Sequence, residues 1–340
     1  MRSLLDVQRK LLPDFLAVMQ KRYDILRYIK TMQPVGRRSL ATSLNLTERT
    51  LRSEVDFLKN QHLIEVYSTG MQLSADGAEI LFQLEGIMRE VMGIDLIEQE
   101  LKRKLGVKEV IVVSGDSDQS PWMKSELGKA CANRMKQEWV GENIIAVTGG
   151  STMAEVADMI TPALPGSELT FVPARGGIGE DMKNQANVIV SKMAEKAKAT
   201  YKVLYVPDQV SQEAYQSFMK EPSIREVIRL IKSANMVVHG IGDAMAMAER
   251  RKTSPDTMRT LLDEHAVGEA FGYYFNENGD VIHKVQTVGI QLDDLKHAKS
   301  VFAVAGGKSK AKAIGAYMRR APSSTVLITD EAAAQELLKG

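Results

Sequence analysis

The stretch Ala146–Ala157, AVTGGSTMAEVA, runs from an apolar strand through two glycines and two hydroxyl residues into a helix. That order is suited to holding a phosphate. The unpaired N–H groups of a first helical turn and the positive end of its dipole face an anion, while glycines let the backbone come close and hydroxyls add donors. Gly149, Gly150, Ser151 and Thr152 are therefore candidates for a phosphate cradle. Three more apolar stretches end in glycine-rich loops. Phe171-Val172 precedes PARGGIG, Val237–His239 precedes Gly240-Ile241-Gly242-Asp243, and Phe302–Ala305 precedes Gly306-Gly307-Lys308-Ser309-Lys310. One glycine after a strand is only a turn. Four at one edge of a parallel sheet mark the crevice where such sheets bind ligands. Arg175 and Lys310 would add positive charge there, Arg175 with a two-pronged guanidinium, and Glu269 suits sugar hydroxyls better than phosphate.

Two nucleotide readings fail on spacing. Gly307-Lys308-Ser309 resembles the end of a Walker A loop, but Phe302 stands at the required first glycine. Gly240-Ile241-Gly242 opens a dinucleotide fingerprint whose third glycine position holds Met245. No HExxH or cysteine-rich spacing suggests a metal, so no metal or cofactor is expected. The one cysteine, Cys131, excludes an internal disulfide framework, fits a reducing cytoplasm and reads as a packing residue.

These loops need a scaffold. From residue 109 onward apolar strands alternate with amphipathic helices, which predicts an α/β domain with a doubly wound, mostly parallel sheet. The expected strands are Glu109–Val113, Ile144–Val147, Leu169–Val172, Lys202–Val206, Met236–His239, Val301–Ala305 and Thr325–Ile328. Val281–His283 and Gln286–Ile290 are expected to form a hairpin after the turn Asn276–Gly279. The helices between them are Ser125–Glu138, Thr152–Ile160, Asn184–Lys198, Ser223–Lys232 and Lys310–Arg320.

The N-terminal part differs. Residues 1–75 carry twelve Lys/Arg against seven Asp/Glu although the whole chain of 340 residues has a net charge of only +1. A helix is expected over 5–32, with Leu4, Leu5, Leu11, Leu12, Phe15, Leu16, Ile25, Leu26 and Ile29 near helical spacing, ended by Pro34-Val35-Gly36. A short helix Arg38–Leu44, a turn at Asn45-Leu46 and a second helix capped by Thr47 follow. Ile64–Tyr67 and Met71–Leu73 then pair as a small hairpin. This is a winged helix-turn-helix, whose second helix fits a DNA major groove. Arg49 and Arg52 are the base-edge candidates, Thr47, Thr50 and Ser53 phosphate or base partners, and Arg37 and Arg38 phosphate contacts. Residues 76–105 read as a linker helix and 106–340 as an effector-binding and oligomerisation domain. No apolar run is long enough to span a membrane, and the first residues lack a signal peptide's apolar stretch, so a cytoplasmic protein is expected.

The order of winged helix, linker and sheet, with the motifs TGGST, ARGG, HGIGD, GEAFGYYF and AGGKSKAKAIGA, resembles the SorC family of bacterial sugar-responsive transcription regulators over nearly the whole chain. The resemblance implies a repressor of a glycolytic operon that binds double-stranded operator DNA as a dimer or tetramer. Release would follow binding of a phosphorylated sugar, fructose 1,6-bisphosphate. It implies an effector site of Gly149, Gly150, Ser151, Thr152, Arg175, Gln185, Arg250, Glu269 and Lys310. The body also resembles glucosamine-6-phosphate deaminases, which leaves an isomerase or deaminase with an added nucleic-acid module as the alternative. Asp243, Glu269 and His265 would then be acid–base candidates, but no histidine follows closely after Gly242-Asp243, so the pair such chemistry needs is incomplete.

Overall fold

The computed structural model describes residues 11, 13–177 and 181–340. Leu4, Leu5, Leu12, Ile178 and Gly179, on which parts of the expectations above rest, lie outside them. The chain divides into two compact units, residues 1–96 with Ser120–Trp122, and the remainder, Ile97–Gln119 with Met123–Gly340.

In the first unit the helix Pro13–Met32 buries Tyr23, Ile25, Leu26, Tyr28 and Ile29. Leu11 and Phe15, expected on the same stripe, remain 71% and 54% exposed. The helix-turn-helix follows with close agreement to its sequence signals. Arg37–Ser43 leads into a left-handed Asn45, and Leu46 N–H bonds to Ala41 O at 2.9 Å. Thr47 then caps Glu48–Asn60 by accepting Thr50 N–H at 3.1 Å. Leu51, Val55 and Leu58 fill the inner face of that helix. The wing pairs β1 (Ile64–Tyr67) with β2 (Gly70–Leu73), antiparallel, and Val35 bridges to Met71 on its other side. The predicted linker is two helices: Ala75–Met92 passes through Gly86 but stops at left-handed Gly93, and Ile94–Leu105 starts afresh.

The second unit is built on seven parallel strands: β3 (Glu109–Val113), β4 (Gly141–Val147), β5 (Ser167–Pro173), β6 (Thr200–Tyr201), β7 (Met236–Gly240), β12 (Ser300–Val304) and β13 (Thr325–Asp330). Their order is β3-β13-β12-β7-β4-β5-β6. Every residue of β12 and β13 is buried, as strands covered on both faces require. From β4 the chain winds outward through β5 and β6. From β7, on the other side of β4, it winds through β12 and β13. The carboxyl ends of β4 and β7 are therefore the switch point at which such sheets open a crevice. The main core packs Leu127, Cys131, Met135, Met153, Val156, Ile189 and Met193 onto Ile145, Val147 and Phe171. Burial pushes the Cys131 thiol far above its ordinary range, consistent with packing rather than reactivity.

Two expectations fail. Lys202–Val206 is not a strand, because pairing with β5 ends at Tyr201. Asn187 instead accepts from Leu204 N–H and donates to Leu204 O, both at 3.0 Å, tying that backbone to a helix. The hairpin 281–290 is also different. A second sheet, β8 (Gly242–Asp243), β9 (Ala266–Ala270), β10 (Tyr273–Asn276) and β11 (Val281–Lys284), is antiparallel in the order β11-β10-β9-β8. β11 pairs across the 276–279 turn with β10. Residues 286–290 make only single bridges, Gly289 to Arg175 and Thr287 to Gln209.

Candidate functional site

At the switch point β4 runs into Thr148, whose N–H bonds to Val238 O on β7 at 3.0 Å. Gly150 holds φ +117°, a region costly for side-chain-bearing residues, and its N–H bonds to Asn184 O at 2.8 Å. The helix Ser151–Met159 starts there with no side-chain cap, leaving its first-turn N–H groups to whatever occupies the crevice. A cavity of about 220 Å³ lies against this turn.

The structure brings all nine expected effector residues to this one cavity. Gly149, Gly150, Ser151 and Thr152 form the turn, and Gln185 stands at the start of the helix Ala186–Ala197. Arg175 follows β5, Glu269 lies on β9, Arg250 ends the helix Ala244–Arg250, and Lys310 ends the loop after β12. Three charged lining residues, Lys124, Asp208 and Arg251, lie outside every motif read from the sequence.

The charges sort into two groups. Arg175 and Arg251 alternate with Asp208 and Glu269 in a buried ring. Arg175 Nε donates to Asp208 Oδ1 at 2.8 Å, and Arg251 approaches Asp208 Oδ2 at 3.4 Å and Glu269 Oε1 at 3.1 Å. Arg175 Nη1 lies 3.5 Å from Glu269 Oε1, which also accepts Gly272 N–H at 2.5 Å. The two carboxylates hold Arg251 above the usual guanidinium range against the opposing effect of burial. Much of the Arg175 fork expected to grip phosphate is thus engaged by Asp208. Its Nη2 is buried and lies 2.6 Å from Asp208 Oδ1 in the same ion pair.

Lys124, Arg250 and Lys310 are the other group. The cavity is lined by five cationic side chains and two carboxylates. Lys310 shows the consequence: burial, then the positive charges of Lys124 and Arg250, hold its ammonium below the ordinary lysine range, against the opposing pull of Asp118 and Asp243. A site with a positive surplus, a desolvated lysine and an uncapped helix N-terminus is suited to a multiply charged anion.

The acid–base candidates of the alternative reading are not assembled. Asp243 caps its helix by accepting Ala246 N–H at 2.9 Å, and Glu269 is tied to two arginines. His265 occupies an exposed left-handed turn and does not line the cavity. Among the described residues no group of three or more His, Cys, Asp or Glu could hold a metal, and no helix is long and apolar enough to cross a membrane.

In the first unit Thr47, Arg49, Arg52 and Ser53 are exposed on the outer face of Glu48–Asn60 and Thr50 is half-buried. Arg37, Arg38 and Arg52 converge with Glu48 around a shallow recess, where Arg38 is 93% exposed and 4.0 Å from Glu48. Arg22 braces the same helix from behind, donating to Glu54 at 2.9 Å and lying over the Phe57 ring at 3.5 Å.

Residues 18–88 match the family model described as the CggR N-terminal DNA binding domain, and residues 89–339 match a sugar-binding domain family. The chain is 61% identical over 340 residues to the central glycolytic genes regulator of Priestia megaterium, covering 100% of this chain and 99% of the relative. It is 55% identical over 339 residues to the protein of that name from Bacillus subtilis, again covering 100% and 99%. Among solved structures, a SorC family transcriptional regulator from Enterococcus faecalis superposes with a TM-score of 0.68 at 49% identity over 72% of this chain and 99% of that one. The resemblance drawn from the loop motifs therefore holds over the full length, and the chain belongs to the SorC-type central glycolytic genes regulator family, in which a DNA-binding domain is joined to a sugar-binding domain.

Proposed function

We propose that this protein is a cytoplasmic repressor of a glycolytic operon, and that it lets go of its operator when a phosphorylated sugar, fructose 1,6-bisphosphate, enters the cavity at the sheet's switch point. The observation that carries this reading is the positive surplus of Lys124, Arg250 and Lys310 beside the uncapped turn Gly150–Thr152. One phosphate would take the turn's N–H groups and hydroxyls. The cations would serve the remaining charge, and the ring around Glu269 would offer acceptors to sugar hydroxyls. Arg49 and Arg52 would read base edges while Arg37 and Arg38 hold phosphates. The chain would act as a dimer or tetramer, because a winged helix reads paired half-sites. The exposed Ile80 and Ile87, two turns apart on one face of the helix Ala75–Met92, are apolar surface suited to such pairing.

Binding without turnover is the role assigned to this cavity, since Asp243, Glu269 and His265 are held apart or occupied. The test uses the full chain and a duplex from upstream of a glycolytic operon. Fructose 1,6-bisphosphate should raise the melting temperature with the logarithm of its concentration and weaken duplex binding. The unphosphorylated sugar should do neither. An equal response to fructose itself, or steady conversion of glucosamine 6-phosphate, would overturn the proposal.

A further inference from the structure

The chain passes between the two units more than once. The chain leaves the second unit after Gln119, contributes Ser120–Trp122 to the first, and returns at Met123. Both ends of this excursion are fastened at the cavity's lysine loop or at the cavity itself. On the near side, Asp118 accepts Ser309 N–H at 2.7 Å and Ser309 Oγ–H at 2.9 Å. Asp330 accepts both Ser117 N–H at 2.8 Å and Gly307 N–H at 2.6 Å. The fit is tight, since a Cβ on Gly307 would lie 2.3 Å from Asp118 Oδ1. Asp118 is also one of the carboxylates felt by Lys310. On the far side Lys124, two residues after Trp122, lines the cavity.

The middle of the excursion is anchored in the first unit. Trp122 is 7% exposed, and its ring meets Tyr28 edge-on with centroids 5.3 Å apart, while Arg27 lies 5.4 Å from its centroid. Tyr28 in turn shares a 2.8 Å hydrogen bond with Ser43. Ser43 is the last residue of the helix Arg37–Ser43, directly before the turn that launches Glu48–Asn60. The Trp122 indole N–H is buried without an acceptor, so this arrangement leaves one donor that a shifted arrangement could satisfy.

We propose that the strap Ser117–Lys124 carries the ligand signal: an anion drawing in Lys124 and Lys310 pulls both ends of the strap, and Trp122 passes the displacement through Tyr28 and Ser43 to the DNA-reading helix. This rests on the cavity's being the sugar-phosphate site. The physical content is one short covalent path whose ends sense the ligand and whose centre is packed into the element that must move.

The prediction is a loss of coupling with both bindings kept. In Trp122→Leu and in Tyr28→Phe, fructose 1,6-bisphosphate should still raise the melting temperature of the full chain. Duplex affinity without ligand should stay within about threefold, and the ligand-induced weakening of the duplex, roughly 5- to 150-fold for a coupling of ordinary size, should fall by about tenfold or vanish. A folded variant with the full ligand response overturns the strap. If Trp122→Leu does not fold, Trp139→Phe leaves Trp122 as the chain's one tryptophan. Its emission must then change on titration with fructose 1,6-bisphosphate. Flat emission alongside a ligand-induced rise in melting temperature refutes the strap alone. No rise in any protein, wild type included, refutes the reading of the cavity and the strap with it.

Discussion

Lys310 is where the cavity's electrostatics become measurable. Its ammonium is held low by burial and by Lys124 and Arg250, so it loses its proton at a lower pH than a free lysine. A bound phosphate favours the charged form. Sugar-phosphate affinity should therefore be full below the depressed value and fall as pH rises through it, ahead of the ordinary lysine range. Lys310→Met should weaken binding and remove that alkaline decline; isothermal titration across pH reads both, and an unchanged decline would exclude Lys310 as its source. His239, fully buried on β7 against Phe271 and Tyr317, behaves oppositely in stability. Burial holds its imidazole at about 4, with only Gly240 O to support the charged form. The unfolded chain takes up a proton near pH 6.5 while the folded one does not. Stability is thus intact above that pH and lost as pH falls toward 4, on the order of 3 kcal/mol for this group. His239→Gln should flatten that part of the denaturation profile; an identical slope in wild type and variant would contradict it.

At the scale of elements, the cap that starts the helix Glu48–Asn60, proposed to read DNA, gives the most local prediction. Thr47→Ala removes the acceptor for Thr50 N–H and should destabilise the first unit by about 1 kcal/mol in urea unfolding, with duplex affinity falling as well. No change in either would mean that water replaces the cap at no cost. This helix was legible in the sequence because everything that defines it is local: Thr47 at its start and Leu51, Val55 and Leu58 at helical spacing. The parallel strands were legible for a related reason, since burial on both faces leaves nearly uninterrupted apolar runs such as SVFAV. Lys202–Val206 is apolar enough to imitate one, but its backbone is taken by Asn187, a partner no pattern identifies. The antiparallel sheet was hidden because β8 has two residues and β9 carries a glycine, so neither shows alternation. The site divides the same way. Glycine loops announce themselves because their turns need glycine locally. Asp208 reaches Arg175 across 33 positions and Arg251 across 43, and only the fold brings them together.

For the whole molecule, the charge asymmetry sets the final expectation. Residues 1–75 hold a surplus of five positive charges while the rest of the chain is mildly acidic, so an anionic polymer is attracted to the small end. Duplex affinity should fall linearly on logarithmic axes as salt rises, each phosphate contact contributing about 0.9 to the slope. Arg38, 93% exposed and 4.0 Å from Glu48, is the residue proposed above to hold phosphate. Arg38→Ala should weaken all duplexes alike and reduce the slope by about 1. Arg49→Ala with Arg52→Ala should erase the preference for the operator over unrelated DNA. Both changes lie in the first unit, while the cavity is lined wholly by residues of the second, so each variant should keep the full thermal response to fructose 1,6-bisphosphate. A slope unchanged by Arg38→Ala, or a sequence preference that survives the double variant, would move the DNA-reading surface off the outer face of Glu48–Asn60.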